Sequence, residues 1–228
     1  MQKEIRHWLS DLLGKRVRFD EPLARHTSLR VGGPADALAM PVDQRQVEAL
    51  VSGCRHRNLP LLVLGDGTNL LVRDGGIRGV VINLRGEFRR IRRCAFPAGD
   101  PGVCVCAMAG TRLAALCRWS ARNGLQGMGF AAGIPGTIGG AIAMNAGTAA
   151  GSMQAVIEAV RVLSSSGGHG EMQSVTVPIR DLDFGYRRLS WHLDPQVDSP
   201  LILGGRFRLT PGNPDQISAA AQRLSLIH

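Results

Sequence analysis

The residues best suited to chemistry lie in a glycine-rich segment from Gly124 to Gly147, which reads GLQGMGFAAGIPGTIGGAIAMNAG. The segment has no charged side chain and lacks the periodicity of an amphipathic helix or a half-buried strand. Glycine at this density lets the backbone adopt positive φ or approach a ligand closely. Backbone N–H groups freed in this way form concave nests that bind anions, above all phosphates. The alternative is a glycine-padded packing joint between two lobes.

A second glycine loop, GDGTN from Gly65 to Asn69, directly follows the apolar run Leu61–Leu64. The dinucleotide fingerprint fails here because Leu70 stands where its third glycine would be. Neither loop is followed by lysine, so neither is a Walker-type phosphate loop. Two such loops predict a dinucleotide held by backbone amides in a different kind of fold.

Four segments in one order extend this pattern along most of the chain. They begin at Thr27, Leu64, Gly129 and Phe184 and read TSLRVGGPADALAMP, LGDGTNLLVRDGGIRGVVINL, GFAAGIPGTIGGAIAMNAG and FGYRRLSW. In sequence and order they resemble the bacterial UDP-N-acetylenolpyruvoylglucosamine reductases, flavoenzymes of peptidoglycan precursor synthesis. The resemblance runs from about Thr27 to Thr210.

The resemblance implies an α+β fold, the two-lobed FAD-binding domain of the PCMH (vanillyl-alcohol-oxidase-like) type. It implies a non-covalent FAD, NADPH as hydride donor, and a cytoplasmic enzyme of cell-wall synthesis. The substrate would be a UDP-sugar whose enolpyruvyl group is reduced to give UDP-N-acetylmuramate. The FAD-binding residues would be Gly65, Asp66, Gly67, Thr68, Asn69, Gly133, Ile134, Gly136, Thr137, Gly139, Gly140 and Asn145.

Tyr186 and Arg187 are the second chemical focus. By resemblance they bind substrate, with Arg187 in the position of the family's active-site arginine. A guanidinium pairs with a carboxylate or enolate oxygen in a two-pronged geometry that lysine does not copy. Taken alone, without the resemblance, the two residues favour a surface pair in a turn.

The sequence also departs from the family pattern. The serine that donates the proton and the glutamate that assists it have no counterpart here, which predicts a missing C-terminal domain. Gly129, Ala149 and Ser152 replace a glutamate, a tyrosine and a glutamate. Two alternative functions therefore stay open: a catalytically incomplete flavin-binding module, and another FAD enzyme with a smaller substrate.

Composition sets further limits on function. The 228 residues carry a formal charge of +9, and only Lys3 and Lys15 among the 27 basic residues are lysines. Aromatic residues make up 4% and the arginines are scattered, so nucleic-acid binding is disfavoured. The densest basic cluster predicts a solvated loop or hairpin, or a region that steers an anionic substrate; it comprises Arg85, Arg89, Arg90, Arg92 and Arg93.

Membrane and metal chemistry are not indicated. No apolar run reaches the roughly 18 to 20 residues that span a bilayer, and the N-terminus lacks the unbroken apolar core of a signal peptide. The cysteines are odd in number and lack CxxC or Cys/His spacing, so we expect small core residues and no metal site or disulfide framework. They are Cys54, Cys94, Cys104, Cys106 and Cys117.

Periodicity predicts the elements that must position these residues. Three helices are expected: one at the N-terminus, one capped by Asp43, and one capped by Thr111 and closed by Asn123–Gly124. Strands are expected at 61–64, 80–84, 103–107, 160–163, 174–177 and 201–209, and a final helix at 214–226. The expected domains are an N-terminal lead-in (1–26), two FAD-binding lobes (27–95 and 96–211), and the start of a truncated C-terminal domain (212–228).

Overall fold

The protein is described by a computed structural model that covers residues 1–95, 102–165, 172–191, 200–213 and 217. The chain divides into two compact units. Unit 1 comprises Met1–Phe88 and Ser165–Gln173, and unit 2 comprises Arg89–Ser164 and Ser174–His228. Each unit contains its own sheet and its own predicted glycine loop.

Helices and strands alternate irregularly along the chain. The helices are α1 (Lys3–Leu13), α2 (Gln44–His56), α3 (Leu113–Arg122) and α4 (Ile138–Ala143). The strands of the first half are β1 (Val17–Pro22), β2 (Pro34–Ala39), β3 (Leu61–Val63), β4 (Ile77–Ile82), β5 (Ile91–Cys94), β6 (Val103–Met108) and β7 (Leu125–Gln126). Those of the second half are β8 (Gly147–Thr148), β9 (Gly151–Ser152), β10 (Ile157–Ser165), β11 (Met172–Pro178), β12 (Leu182–Gly185), β13 (Arg188–Trp191) and β14 (Leu201–Pro211).

Unit 1 is built on a four-stranded sheet in the order β1-β2-β4-β3. β1 runs antiparallel to β2, whereas β4 is parallel to both β2 and β3. The paired segments 37–39 of β2 and 80–82 of β4 are apolar and fully buried, as expected where both faces of a parallel sheet are covered. Leu38 of β2 and Val81 of β4 lie in one buried cluster with Leu64, which directly precedes the loop at Gly65.

Helix α2 begins where the sequence predicts. The Asp43 carboxylate accepts a hydrogen bond from the Gln46 N–H at 2.9 Å, which satisfies one of the free amides of the first turn. The apolar stripe that follows, including Val47 and Leu50, is buried. The N-terminal helix is also confirmed, with Leu9 as its fully buried anchor.

Unit 2 is built on a sheet of order β11-β10-β14-β6-β5, with β7 added beside β14. Side chains alternate across this sheet. Val105 and Phe207 pack on one face into a large core that also buries Leu116 of α3 and Ile142 of α4. The predicted strands at 160–163 and 174–177 are confirmed as neighbouring strands of this sheet.

One predicted cap is wrong. α3 begins at Leu113 with Arg112 as its N-cap, and no side chain caps it. The Thr111 hydroxyl instead donates to the Arg90 carbonyl at 3.5 Å. The hydroxyl that local spacing assigned to the helix N-terminus thus bonds to a carbonyl that is distant in sequence.

The exposed arginines of the basic cluster flank or lie on β5, which pairs with β6 and confirms the predicted hairpin. The Ser-Gly-Gly turn, the Asp100–Pro101 turn and the final helix, apart from Ile217, fall outside the described residues. Among the helices that the structure describes, none combines the length and apolarity needed to cross a membrane.

Candidate functional site

The loop Gly65–Asn69 is held at its start and at its middle by Asn83 and Ser28, two residues that the sequence analysis did not single out. The Asn83 amide donates to the carbonyls of Leu64 and Gly65, at 2.7 and 2.8 Å. Ser28 donates its backbone N–H to the Gly67 carbonyl at 3.1 Å, and its hydroxyl lies 3.3 Å from the same oxygen. Asn83 is buried, and its Oδ1 has no hydrogen-bond partner in the described chain.

Gly67 is required by this geometry. Its φ is +64°, and a Cβ there would lie 2.1 Å from the His26 carbonyl oxygen. The His26 ring is held in turn by the Glu21 carboxylate, with Nε2 and Oε1 2.9 Å apart. His26 therefore has a structural role.

Glu21 carries a buried negative charge below this loop. Burial opposes its ionisation, but hydrogen bonds from His26 and Arg18 outweigh burial and hold the pKa of the Glu21 carboxyl below its ordinary value. The Arg18 Nη1 lies 3.2 Å from the same carboxylate. These contacts brace the chain segment against which Gly67 packs.

The backbone amides of the loop are largely unpaired within the protein, although Gly67 itself is buried. Within the described chain, the N–H groups of Gly65, Gly67, Thr68 and Asn69 donate no hydrogen bond to another protein group. Thr68 and Asn69 are exposed, and Asp66 is half-buried. Unpaired N–H groups in a glycine turn are suited to phosphate oxygens.

The glycine-rich segment Gly124–Gly147 lies in unit 2 and has four positive-φ glycines, among them Gly133 at 87° and Gly136 at 118°. The Gly136 carbonyl accepts from the Leu113 N–H at 2.9 Å, which ties the segment to the start of α3. The N–H groups of Gly133, Gly136 and Thr137 are not donors to any described protein group. Ile134 is half-buried beside them and packs against the core of unit 2.

The two glycines of α4 differ in their surroundings. The Gly139 N–H donates to the Ala109 carbonyl at 2.9 Å, and a Cβ there would lie 3.0 Å from the Ala109 Cβ. Gly139 is therefore packed closely within unit 2, which is not the joint between two lobes that the sequence analysis names as an alternative. Gly140 is exposed, and an added Cβ would meet only the Thr137 Oγ1, at 3.7 Å. Gly140 is open to a ligand.

Asn145 follows α4 in the left-handed region, with φ of 41°. Its Nδ2 donates to the Gly185 carbonyl at 3.3 Å, and its Oδ1 accepts from the Gln154 N–H at 3.1 Å. Both ends of the predicted cofactor-binding side chain are therefore bonded within unit 2. Asn145 connects the end of α4 to the hairpin that carries Tyr186.

Tyr186 and Arg187 form the two-residue tip of the β12–β13 hairpin. Tyr186 is 91% exposed, and the Arg187 guanidinium carbon lies 5.7 Å from the centroid of its ring. Next to them, Arg188 pairs with Asp183 at 3.2 Å and braces the hairpin. Arg187 pairs with no carboxylate among the described residues, so its guanidinium is available to an anion.

A cluster of three cysteines was missed by the sequence analysis. The Sγ atoms of Cys94, Cys104 and Cys106 all lie within 4.8 Å of one another. Cys54, in contrast, is a buried core residue, as expected, and burial raises the pKa of its thiol to about 12. The expectation of no metal site stays a prediction, but the cluster brings together three thiols that their spacing in the sequence did not indicate. The signal in the sequence that could have found the cluster was a Cys-x-Cys pattern in one strand of a hairpin, with a third cysteine in the other strand.

Comparison with known proteins identifies the family. A family model described as an FAD binding domain matches residues 35–172. The UDP-N-acetylenolpyruvoylglucosamine reductase of Desulfosudis oleivorans is 43% identical over 97% of this chain and 69% of its own length. The chain belongs to the UDP-N-acetylenolpyruvoylglucosamine reductase family.

Two further members give the extent of the match. The Syntrophus aciditrophicus reductase is 42% identical over 94% of this chain and 65% of its own length. The crystal structure of the Thermus caldophilus reductase has a TM-score of 0.69 at 31% identity, covering 92% of this chain and 68% of that one. The chain thus spans about two thirds of the length of these reductases. The predicted PCMH-type FAD-binding fold and the family resemblance are both confirmed.

The residues present fit FAD. Unpaired amides at Gly67 and at Gly136 are donors of the kind that a pyrophosphate requires, and Gly140 offers a side-chain-free surface. The roles of the individual predicted residues stay predictions.

Proposed function

We propose that this chain binds FAD non-covalently and uses it to reduce the enolpyruvyl group of a UDP-sugar at the expense of NADPH, giving UDP-N-acetylmuramate. The observation that carries the proposal is the presence of unpaired N–H groups in both predicted glycine loops, in a chain of this reductase family. When bound, FAD supplies the hydride-transferring ring, and the protein supplies binding and orientation.

The backbone would do most of the binding. The free amides of Gly65, Gly67, Thr68 and Asn69 would donate to pyrophosphate oxygens. The segment from Gly133 to Gly140 would lie against the remainder of the dinucleotide, because glycine leaves no Cβ between backbone and ligand. Asp66 would have to turn its carboxylate away from the phosphates, since like charges repel.

The hairpin tip would bind the substrate. Arg187 has no carboxylate partner in the described chain, so it can offer two parallel N–H donors to the carboxylate of the enolpyruvyl group. It would also stabilise negative charge that develops on that group during reduction. Tyr186 would add an exposed ring to the same surface.

The remaining parts of the proposal come from the sequence. We propose 27–95 and 96–211 as the two FAD-binding lobes, and a cytoplasmic site of action. We also propose that the partners are the UDP-sugar and NADPH, with no nucleic acid. Fractionation of the cells that produce the protein would test the location.

The decisive experiment combines flavin content with turnover. Purified protein should contain about one FAD per chain, released by heat denaturation, and should oxidise NADPH only when the enolpyruvyl UDP-sugar is present. Colourless protein that does not take up added FAD would refute the proposal. Flavin without substrate-dependent turnover would favour a flavin-binding module over the reductase.

A variant pair tests the hairpin. Arg187→Lys should keep FAD and lose turnover by at least about 100-fold, comparable to loss of a single oxyanion-stabilising group. Arg180→Lys is the matched control. Arg180 is an exposed arginine of the same unit, and the lysine keeps the positive charge, as it does in Arg187→Lys. Equal turnover of the two variants would remove Arg187 from the site.

A further inference from the structure

The three clustered cysteines lie on the face of the unit 2 sheet that is turned away from its apolar core. Cys104 and Cys106 are two residues apart on β6, so their side chains share a face, whereas Val105 between them points into the core. Cys94 of β5 is the direct cross-strand partner of Cys104. A rigid hairpin therefore holds all three thiols together.

The sulfur positions match a metal site in size. A metal ion bound to three thiolates at about 2.3 Å places its sulfurs roughly 3.8 to 4.0 Å apart. The three Sγ atoms already lie within 4.8 Å of one another, so small side-chain movements would close the site. Cys104 is buried, and Cys94 and Cys106 are half-buried, which leaves a route for an ion to enter.

The surrounding charge favours an anionic complex. Arg92 of β5 and Arg206 of β14 lie opposite Cys106 on either side, so their positive charges share the face of the cysteines. The Arg206 Nε is buried and has no hydrogen-bond partner in the described chain. Three thiolates around a mono- or divalent cation carry net negative charge, which these guanidinium groups would offset.

We propose that Cys94, Cys104 and Cys106 form a three-sulfur site for a thiophilic d10 metal ion, Zn(II) or Cu(I). Thiolates select such ions over Mg(II) or Ca(II), which prefer oxygen. Binding exchanges three S–H bonds for three metal–sulfur bonds and releases three protons to solvent, with no change in oxidation state. Zn(II) would complete four-coordination with a solvent molecule, and Cu(I) would be satisfied by three sulfurs.

Cadmium is a suitable probe because its bonds to thiolate absorb in the ultraviolet. The reduced 228-residue protein should bind one Cd(II) per chain with this absorption, and Zn(II) should displace it. X-ray absorption of the cadmium complex should count three sulfur neighbours. Absence of the absorption while all five thiols titrate as reduced would overturn the proposal, and so would a count of one sulfur.

Cys106→Ala and Cys117→Ala form a matched pair, because each removes one half-buried thiol from unit 2. Loss of an outer-shell partner weakens metal binding by roughly 10- to 100-fold. Cys106→Ala removes a ligand itself, so it should weaken Cd(II) binding by at least this factor. Cys117→Ala should bind like the wild type. Equal affinity of both variants would overturn the site, and so would a Cys94–Cys104 disulfide that persists under reducing conditions. Thermal unfolding of each variant checks that it is folded.

Discussion

Asn145 donates a hydrogen bond from its side chain to the backbone carbonyl of Gly185, at 3.3 Å, across 40 residues of sequence. This bond attaches the end of the glycine-rich segment to the hairpin whose tip is Tyr186 and Arg187. The Asn145 Oδ1 simultaneously accepts from the Gln154 N–H, so the amide cannot rotate without losing both bonds. One side chain thereby connects the proposed cofactor segment with the proposed substrate-binding tip.

The Asn145 connection predicts separable effects of two substitutions. Asn145→Gly keeps the backbone free to adopt φ of 41° and removes both bonds, so the free energy of unfolding should fall by about 1–3 kcal/mol. Asn145→Ala removes the same bonds and adds strain at positive φ, for a further loss of about 1 kcal/mol. Urea unfolding of both variants measures the difference. Equal stability of Gly, Ala and wild-type proteins would contradict the assigned role.

Gly67 should be intolerant of any side chain. Gly67→Ala places a Cβ 2.1 Å from the His26 carbonyl oxygen, in a left-handed backbone, so we expect a loss of at least about 2 kcal/mol in the free energy of unfolding. Gly75→Ala is the control: no atom lies within 4 Å of its added Cβ, and its effect should stay within about 0.5 kcal/mol. Similar melting temperatures for the two variants would count against this geometry.

Gly140 should be tolerated by the fold but required by the cofactor. An added Cβ there meets only the Thr137 Oγ1, at 3.7 Å, and leucine is a better helix former than glycine by roughly 0.5–1 kcal/mol, so Gly140→Leu should not lower the melting temperature of the flavin-free protein. Its side chain would project where we place FAD and should abolish flavin retention. Gly75→Leu, also in open space, should retain flavin. Flavin content is read from the absorbance of the released cofactor, and full occupancy in Gly140→Leu would exclude this position from the site.

Local chemistry was predictable wherever the partner of a residue is close in sequence. The cap at Asp43 lies three residues from the amide it binds, so spacing alone identifies it. The hydroxyl of Thr111 has the same local signature, but its partner is the carbonyl of Arg90, directly before β5, and the predicted cap is wrong. Spacing along the sequence does not reveal a competing hydrogen-bond acceptor that comes close only when the hairpin folds.

The candidate site likewise combines features that the sequence predicts with features that only the folded chain brings together. The positive-φ glycines at Gly67 and Gly136 follow from glycine density and motif order, which the sequence displays directly. Asn83, which anchors the first loop, acts through contacts across the sheet and carries no motif of its own. The cysteine cluster likewise depends on the register that pairs Cys94 with Cys104. Register is set by the packing of the whole sheet and is not encoded in the spacing of cysteines.

Glu21 should make the stability of the protein sensitive to acid. The folded-state pKa of its carboxyl lies below its ordinary value of 4.5, so the ionised group contributes stability that is complete above pH 4.5. That contribution is lost as the pH falls through the lower, folded-state pKa, where the carboxyl becomes protonated. Glu21→Gln should therefore show a shallower loss of unfolding free energy in acid than the wild type does, measured by urea unfolding between about pH 7 and pH 3.

A second variant distinguishes the specific contact from a general effect of charge. His26→Phe keeps the Glu21 carboxylate but removes the ring nitrogen that lies 2.9 Å from it. One fewer hydrogen bond then stabilises the ionised carboxylate against the effect of burial. The folded-state pKa of the Glu21 carboxyl should rise, so its difference from the unfolded-state pKa narrows and less stability is lost in acid than in the wild type. The contrary outcome is that the free energy of unfolding has the same pH dependence in the wild type, Glu21→Gln and His26→Phe. In that case Glu21 contributes nothing to stability in acid, and its contacts do not stabilise the Gly67 loop electrostatically.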